Sequence, residues 1–530
     1  MQNNSTKLFA LLLLLLSATA LFGQRRIVIE PMGVDAIKNF IEADFAANGE
    51  NVVANTTYVL RRGATYGYQT QFRPQYTVRL VAEEGDGPRP RILGVASTAG
   101  ESPRLMRVEA PDTEMVWESL NMPQLDNQGE HVDNAPIRPR GAGMSVRVED
   151  CVIDFQRFEI MRTDAVDVRV RLINNIFSRN YQQDNWYKSG GMWFQSGNPV
   201  DTMIIHDNTY YNTPSVAFWQ INGAAINYFE MTNNTFVNVG GQLELNLYGT
   251  PTSRAMIDFG SALNLLVEDN LFYNIGFMGM EPQFTDSLAM FDFQFTDSTE
   301  SVVIRNNNIF TEDRYLENTP DTAVQIPLIT FQLDSFMNTL SDDMTGEEMF
   351  RSLNFSEELS FVSAPMNFEQ FRNAKVARWA NPGTANNELL ILDNPAVDEL
   401  DFFYGTNTTS FTGGTNGRPV GSSRWFAGFV STREYTSNSR VFNVRPNFPN
   451  PARGFTNFHF DLERPASVQA VIYDMNGREV LRSTTQRFGV GTDQTLPVTD
   501  LRLPKGVYSY ALIADVGGQR IGGTRRLVIQ

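Results

Sequence analysis

Cysteine is almost missing from this chain: among 530 residues only Cys151 occurs. A single thiol excludes an intramolecular disulfide, a cysteine-built zinc site and an iron–sulfur cluster. Histidine is scarce as well. His131, His206 and His459 lie far apart, and their spacing matches no metal or triad signature. Basic residues are outnumbered, with 43 Lys plus Arg against 60 Asp plus Glu and a formal charge of −17. That balance argues against nucleic acid or an anionic membrane surface as partner, since both are held by Lys and Arg. Beyond the first two dozen residues no stretch of 18 apolar residues occurs, so no transmembrane helix is expected in the mature protein. What the chain does have is apolar material, 42% hydrophobic with 38 Phe, enough for large cores in two or three domains.

The two ends carry different signals. Lys7, the apolar run Leu8 to Leu16 and the small residues Ser17 to Ala20 describe a secretory signal peptide over residues 1–23. From about Val441 the pattern changes to short alternating strands: Phe458 to Leu462, Val468 to Tyr473, Val507 to Leu512 and Arg525 to Ile529. Asn476-Gly477 is a hairpin signal, because both residues tolerate positive φ. Residues 441–530 therefore read as a small, Ig-like β-sandwich. This stretch resembles the C-terminal sorting domain of the bacterial type IX secretion system, through Asn447-Phe-Pro-Asn-Pro451, Tyr473-Asp-Met-Asn-Gly-Arg-Glu-Val480 and Leu503-Pro-Lys-Gly-Val-Tyr508 in that order. The resemblance implies the type IX machinery as partner and an extracellular or outer cell-surface destination.

Between the ends one unit recurs, an apolar alternating strand followed by a polar pair with Asn and then an apolar pair. Copies are Val170 to Phe177, Met203 to Tyr210, Phe229 to Phe236, Leu265 to Phe272 and Val303 to Phe310, with an earlier one at Val146 to Ile153 that has Cys151 in the Asn place. The Asn residues 175, 208, 234, 270 and 308 recur at intervals that fit a coil of about 24 to 26 residues with inserted loops. Such a unit builds an all-β, right-handed parallel β-helix solenoid over residues 24–427. Asn suits its turns: it tolerates left-handed backbone, and its amide can bond the Asn one coil away.

A second series confirms the period. Met192 to Gly197, Phe218 to Gly223 and Glu244 to Gly249 end in glycines 26 residues apart. Aligned, they stack Trp193, Trp219 and Leu245, read here as inward. Alternation then turns outward Met192, Phe194 and Ser196, then Phe218, Gln220 and Asn222, then Glu244, Asn246 and Tyr248. Met290 to Phe295 would add Asp292 and Gln294 to that outer face.

Asp35 is expected to cap a helix over Ala36 to Ala47, with strands at Thr57 to Tyr66 and Thr77 to Gly85. Residues 320–385 interrupt the repeat. Thr345-Gly-Glu-Glu348 and Asn367-Phe-Glu-Gln370 have capping-box spacing, so two short helices are expected there. Residues 428–440, rich in Ser, Thr and Asn, read as a linker. The opening strands, the Asn repeats and the segment Leu390 to Trp425 together resemble secreted pectate-lyase-like β-helix proteins. The resemblance is architectural and covers about 400 residues.

Polysaccharide lyases of that kind commonly use calcium held by acidic ligands, with Arg or Lys as base. The outer ladder has no Arg or Lys and only two acids, Glu244 and Asp292, so calcium enters only with a lyase reading. A hydrolase would use those two carboxylates on adjacent coils as acid and base. Phe194, Phe218 and Tyr248, with Gln220, Asn222 and Asn246, suit a sugar, whose C–H faces stack while its hydroxyls bond. Lys188, in the loop from Tyr181, is the nearest cation. Asp164, Asp167, Arg169 and Arg171 read as exposed strand positions. The expectation is a secreted or surface protein associated with polysaccharide, with catalysis open; the alternative is a non-catalytic adhesin or structural protein.

Overall fold

A repeat of this kind can bury its apolar face only by stacking coil on coil, and the strand pairing shows that stack. The computed structural model describes residues 25–85, 87–96, 105–129, 132, 136–156, 160–163, 165–178, 192–194, 198–213, 218–220, 225–239, 255–258, 261–276, 289–293, 299–312, 328–340, 343–364, 400–426, 442–445, 447–462, 464–473, 479–516 and 519–530. They fall into two compact units, one spanning Arg26–Trp425 and the other including Phe426–Gln530.

The first unit is a parallel β-helix of three sheets. Sheet A has ten strands, from Arg25–Ile29 to Ser301–Arg305. Sheet B has nine, from Thr65–Tyr68 to Asn308–Phe310, and sheet C has five, from Met161–Thr163 to Ala289–Asp292. Along the chain the central coils visit C, A and B in turn, and each strand pairs in parallel with its counterpart one coil on. The period-two pattern decides which side faces in: in Val168–Ile173, Val168, Val170 and Leu172 are buried while Arg169 is exposed. Inside sheet B one position is aromatic in four successive coils. Phe177, Tyr210, Phe236 and Phe272 stack with ring centroids 4.7, 4.8 and 5.0 Å apart, the strand spacing itself.

The turn between sheets A and B divides its work between two consecutive residues. The first takes the left-handed conformation: Asp150, Asn174, Asp207, Asn233, Asp269 and Asn306 have φ between 50° and 61°. These short polar residues are the non-glycine types that accept it. The second is the buried ladder residue. Asn234 Nδ2 donates to Asn270 Oδ1 at 2.9 Å and to the Ile205 carbonyl at 2.8 Å, while its Oδ1 accepts from the Asn208 backbone N–H at 2.9 Å. The same scheme links Asn175, Asn208, Asn234, Asn270, Asn307 and Asn354. Cys151 stands at the head of the row, its N–H donating to Asn175 Oδ1.

Two expectations need correction here. The ladder residue of the fifth coil is Asn307, not Asn308, because Leu265 pairs with Val302 and Asn270 therefore faces Asn307. Asn308 lies in the row of Leu271 and instead holds the segment that follows the second cap helix, accepting from Glu357 N–H and donating to the Glu357 carbonyl. The helix Ala36–Asn48 forms, but Asp35 does not cap it. Its left-handed backbone turns the carboxylate toward the neighbouring coil, where it accepts from the N–H groups of Gln69 and Thr70.

The interruption after residue 312 closes the solenoid. Helices Phe331–Asn338 and Gly346–Leu353 send Leu333, Met337 and Phe350 into the core, and the second carries the expected capping box between Thr345 and Glu348. The expectation at Asn367 lies outside the described residues. Phe361–Ser363 then pairs antiparallel with Asp401–Tyr404.

The terminal unit is antiparallel. One sheet orders the strands Phe442–Val444, Gly454–Leu462 and Gly491–Leu501. The other is built on Ala466–Tyr473, Gly506–Val516 and Gln519–Ile529, and Phe458, Phe460, Val468 and Leu512 lie in the core.

Candidate functional site

A β-helix offers ligands the outer sides of its sheets, and two of the three are largely taken up by the protein itself. Sheet B is roofed. Phe402 packs against Tyr211 at 5.9 Å and against Trp425 at 5.1 Å, and Phe361 meets Tyr273 at 5.0 Å. Trp425 Nε1 donates to Thr209 Oγ1 at 2.8 Å. The chain from Thr415 to Arg424 then straps the left-handed turns together. Thr415 N–H donates to Asp269, Ser422 N–H to Thr235 Oγ1 and Ser423 Oγ to Asp207, each within 2.8 Å. Arg424 donates to Asp150 Oδ1 at 2.7 Å. Gly421 allows the close approach, with φ 94° and Thr235 Oγ1 only 2.7 Å from where a Cβ would sit. Burial alone would raise the Asp150 carboxyl, but Arg89 and Arg424 both bond it and hold it below the ordinary value.

The outer side of sheet A is carpeted by polar pairs. Arg79 meets Glu114 at 2.6 Å, Arg147 meets Glu149 at 2.9 Å and Arg305 meets Glu268 at 2.7 Å. Between them runs a chain that sequence reasoning missed. Tyr228 OH donates to Glu230 at 2.8 Å, Thr232 Oγ1 donates to the other Glu230 oxygen at 3.1 Å, and His206 Nδ1 lies 2.9 Å from Thr232 Oγ1. Because the Thr232 hydroxyl proton goes to Glu230, His206 Nδ1 must be the donor to Thr232. The signal was present in the repeat: His206, Thr232 and Glu268 each stand two residues before a ladder Asn. These three and Glu230 are at most 6% exposed, which marks the chain as part of the coil-to-coil packing. Arg169 is exposed as expected and bonds Ser145 Oγ and the Gly143 carbonyl; Asp167 occupies a left-handed turn position, φ 56°.

Sheet C holds four of the residues chosen from the sequence, Phe194, Phe218, Gln220 and Asp292. Asp292 is fully buried rather than solvated; its Oδ1 accepts from Thr330 Oγ1 and from Phe293 N–H. Thr330 caps the helix Phe331–Asn338, so this carboxylate fastens the end cap to the sheet. Phe194, Phe218 and Gln220 lie on strands whose backbone register is defined: Met192 pairs with Phe218, Trp193 with Trp219 and Phe194 with Gln220. Their side chains, and all of Lys188, Asn222, Glu244, Asn246 and Tyr248, lie outside the described residues, as does Asp164. The register also shows that Phe218 is in line with Ile257 and Phe291. Asp292 is therefore one position out of line with Phe218.

Among the described residues no three His, Cys, Asp or Glu side chains gather to hold a metal ion, and no helix is long and apolar enough to cross a membrane. The Cys151 thiol is buried and pushed up to about 12 by that burial, which leaves it unreactive near neutral pH.

In the terminal unit the segment 447–451 pins the end of the chain. Asn447 is buried and donates to Thr456 Oγ1 at 2.8 Å, Asn450 Oδ1 accepts from Val528 N–H at 2.9 Å, and Ala452 N–H donates to the Val528 carbonyl at 2.8 Å. Residues 447–530 match the model of the secretion system C-terminal sorting domain. No curated protein matches the chain. The sorting domain marks the protein for export by type IX secretion, to be released or attached at the cell surface.

Proposed function

We propose that the β-helix is a carbohydrate-associated cargo: residues 1–23 direct it out of the cytoplasm, the domain at 441–530 carries it across the outer membrane, and residues 24–427 engage polysaccharide outside the cell. The observation that supports this is the division of the three faces. Sheet B is roofed by the protein's own aromatics and sheet A is filled by polar pairs, while sheet C stacks its strands coil on coil with a sequence rich in aromatic and amide residues. Flat apolar groups beside short hydrogen-bonding groups are what a sugar surface requires. The pectate-lyase-like resemblance points the same way, although architecture alone says little about activity.

Binding is the favoured form of this function. An acid and base pair of Glu244 and Asp292 would need Asp292 free to exchange protons with substrate, and Asp292 is buried and bonded to Thr330 and Phe293. The test is a screen of the purified mature protein against neutral and uronate polysaccharides, with and without calcium, reading both retention and unsaturated product. Retention on a neutral polysaccharide without calcium is the expected result. Absence of both retention and cleavage on every polymer would reject carbohydrate in favour of the adhesin or structural role.

A further inference from the structure

In a parallel sheet, paired residues on neighbouring strands share a face, and successive residues along one strand alternate faces. Ile137, Met161, Ile257 and Phe291 are each at most 1% exposed and lie in the core. One continuous row joins them: Ile137 pairs with Met161, Met161 with Met192, Met192 with Phe218, Phe218 with Ile257, and Ile257 with Phe291. Positions 192 and 218 are thus bracketed by core residues on both sides. The adjacent row runs through Arg162, Trp193 and Trp219; one residue on from the Phe218–Ile257 pair it continues to Asp258, which pairs with Asp292. Arg162 is partly exposed between buried Met161 and Thr163, which identifies its row as the outer one.

We propose that positions 193 and 219, flanked by Arg162 and Asp258, form the sugar-contacting row of sheet C, and that the ligand is a neutral polysaccharide lying across the coils. The proposal rests on the carbohydrate reading above and assigns its residues. Tryptophan stands at two paired positions of this row, on adjacent strands about 4.8 Å apart, and it is the residue type that takes the C–H face of a sugar. Arg162 and Asp258 stand in the same row, one a residue type that donates to hydroxyl groups and the other one that accepts from them. A polyuronate would meet a chain of net charge −17, which disfavours it. Asp292, bonded to Thr330, closes the far end of the row. Phe218, by the same register, belongs to the row that holds the core.

The experiment titrates the full mature protein with a soluble neutral β-glucan, a soluble mannan and polygalacturonate, following tryptophan emission and heat. One neutral polymer should bind and polygalacturonate should not. Trp193→Ala and Trp219→Ala should each weaken binding at least about fivefold, Trp219→Phe should retain most of it, and Phe218→Ala should keep the affinity while lowering the unfolding temperature. Should an alanine variant fail to fold, the Trp→Phe variants and acrylamide quenching of the wild-type indoles decide the row. Binding untouched by both tryptophan changes, or indoles at 193 and 219 shielded from acrylamide in the free protein, overturns the row. Preference for polygalacturonate overturns the ligand class. If the wild type binds no glycan while both indoles are open to acrylamide, the outer row stands and the carbohydrate reading falls.

Discussion

At the turn between sheets A and B, the coils from Asn175 to Asn354 are locked to one another by buried amides that donate and accept across the gap. In sheet C, the coils meet over strands of three or four residues, Met161–Thr163 through Ala289–Asp292. Both regions repeat with the same coil, but their registers are set differently. The ladder is fixed by specific bonds: moving it by one residue would leave Asn234 and its partners unsatisfied in the core. Sheet C inherits its register from the rest of the coil, and in a short strand a slip of one residue exchanges the core face for the solvent face. Solenoids are accordingly pinned at their turns, and ligand faces can vary on the strands between.

The comparison predicts unequal costs. Asn234→Ala removes the acceptor of the Asn208 N–H and the donor to the Ile205 carbonyl, leaving two buried groups unsatisfied. It should lower stability by about 3 to 5 kcal/mol in urea unfolding. Arg162→Ala in sheet C, read the same way, should cost less than about 1 kcal/mol. Equal losses would mean that the turn holds no special lock.

A smaller effect sharpens the comparison at the other turn residue. Asp150 joins the ladder turn to Arg89 and to the strap through Arg424. Asp150→Asn should cost about 2 to 3 kcal/mol at pH 7, as for other hydrogen bonds to charged groups. Because the folded-state carboxyl is held below its ordinary value, its contribution is complete above the unfolded pKa of about 3.9 and fades as pH falls through the lower folded value. The stability gap between wild type and variant should therefore close below about pH 4. A gap that persists there, in thermal melts across pH, would show that the contact is not electrostatic.

The same contrast explains what could be read from the sequence. The parallel solenoid, the sandwich motifs and the capping box at Thr345 were legible, because left-handed turns, buried amides and caps each demand particular residues. Within the repeat, Asn306-Asn307-Asn308 offered three candidates for one rung, and only the pairing of Leu265 with Val302 selects Asn307. In sheet C the sequence Met290-Phe-Asp-Phe alternates equally well in either phase, and the pairing of Ile257 with Phe291 chooses the one that separates Asp292 from Phe218. The Tyr228–Glu230–Thr232–His206 chain was harder to see: one repeat position, two before the ladder Asn, is polar in successive coils as His206, Thr232 and Glu268, but the residue type changes from coil to coil.

Thiol reactivity tests the register of sheet C most directly, and the chain suits it because its one cysteine, Cys151, is buried with its thiol pushed up to about 12. Phe218→Cys and Trp219→Cys place a probe at neighbouring positions of one strand. In the folded protein at pH 8, Trp219→Cys should react with an aromatic disulfide reagent at close to the rate of a free thiol, and Phe218→Cys should react only on unfolding. The opposite order, with position 218 open and position 219 protected, would contradict the register and return the ligand face to the phenylalanines.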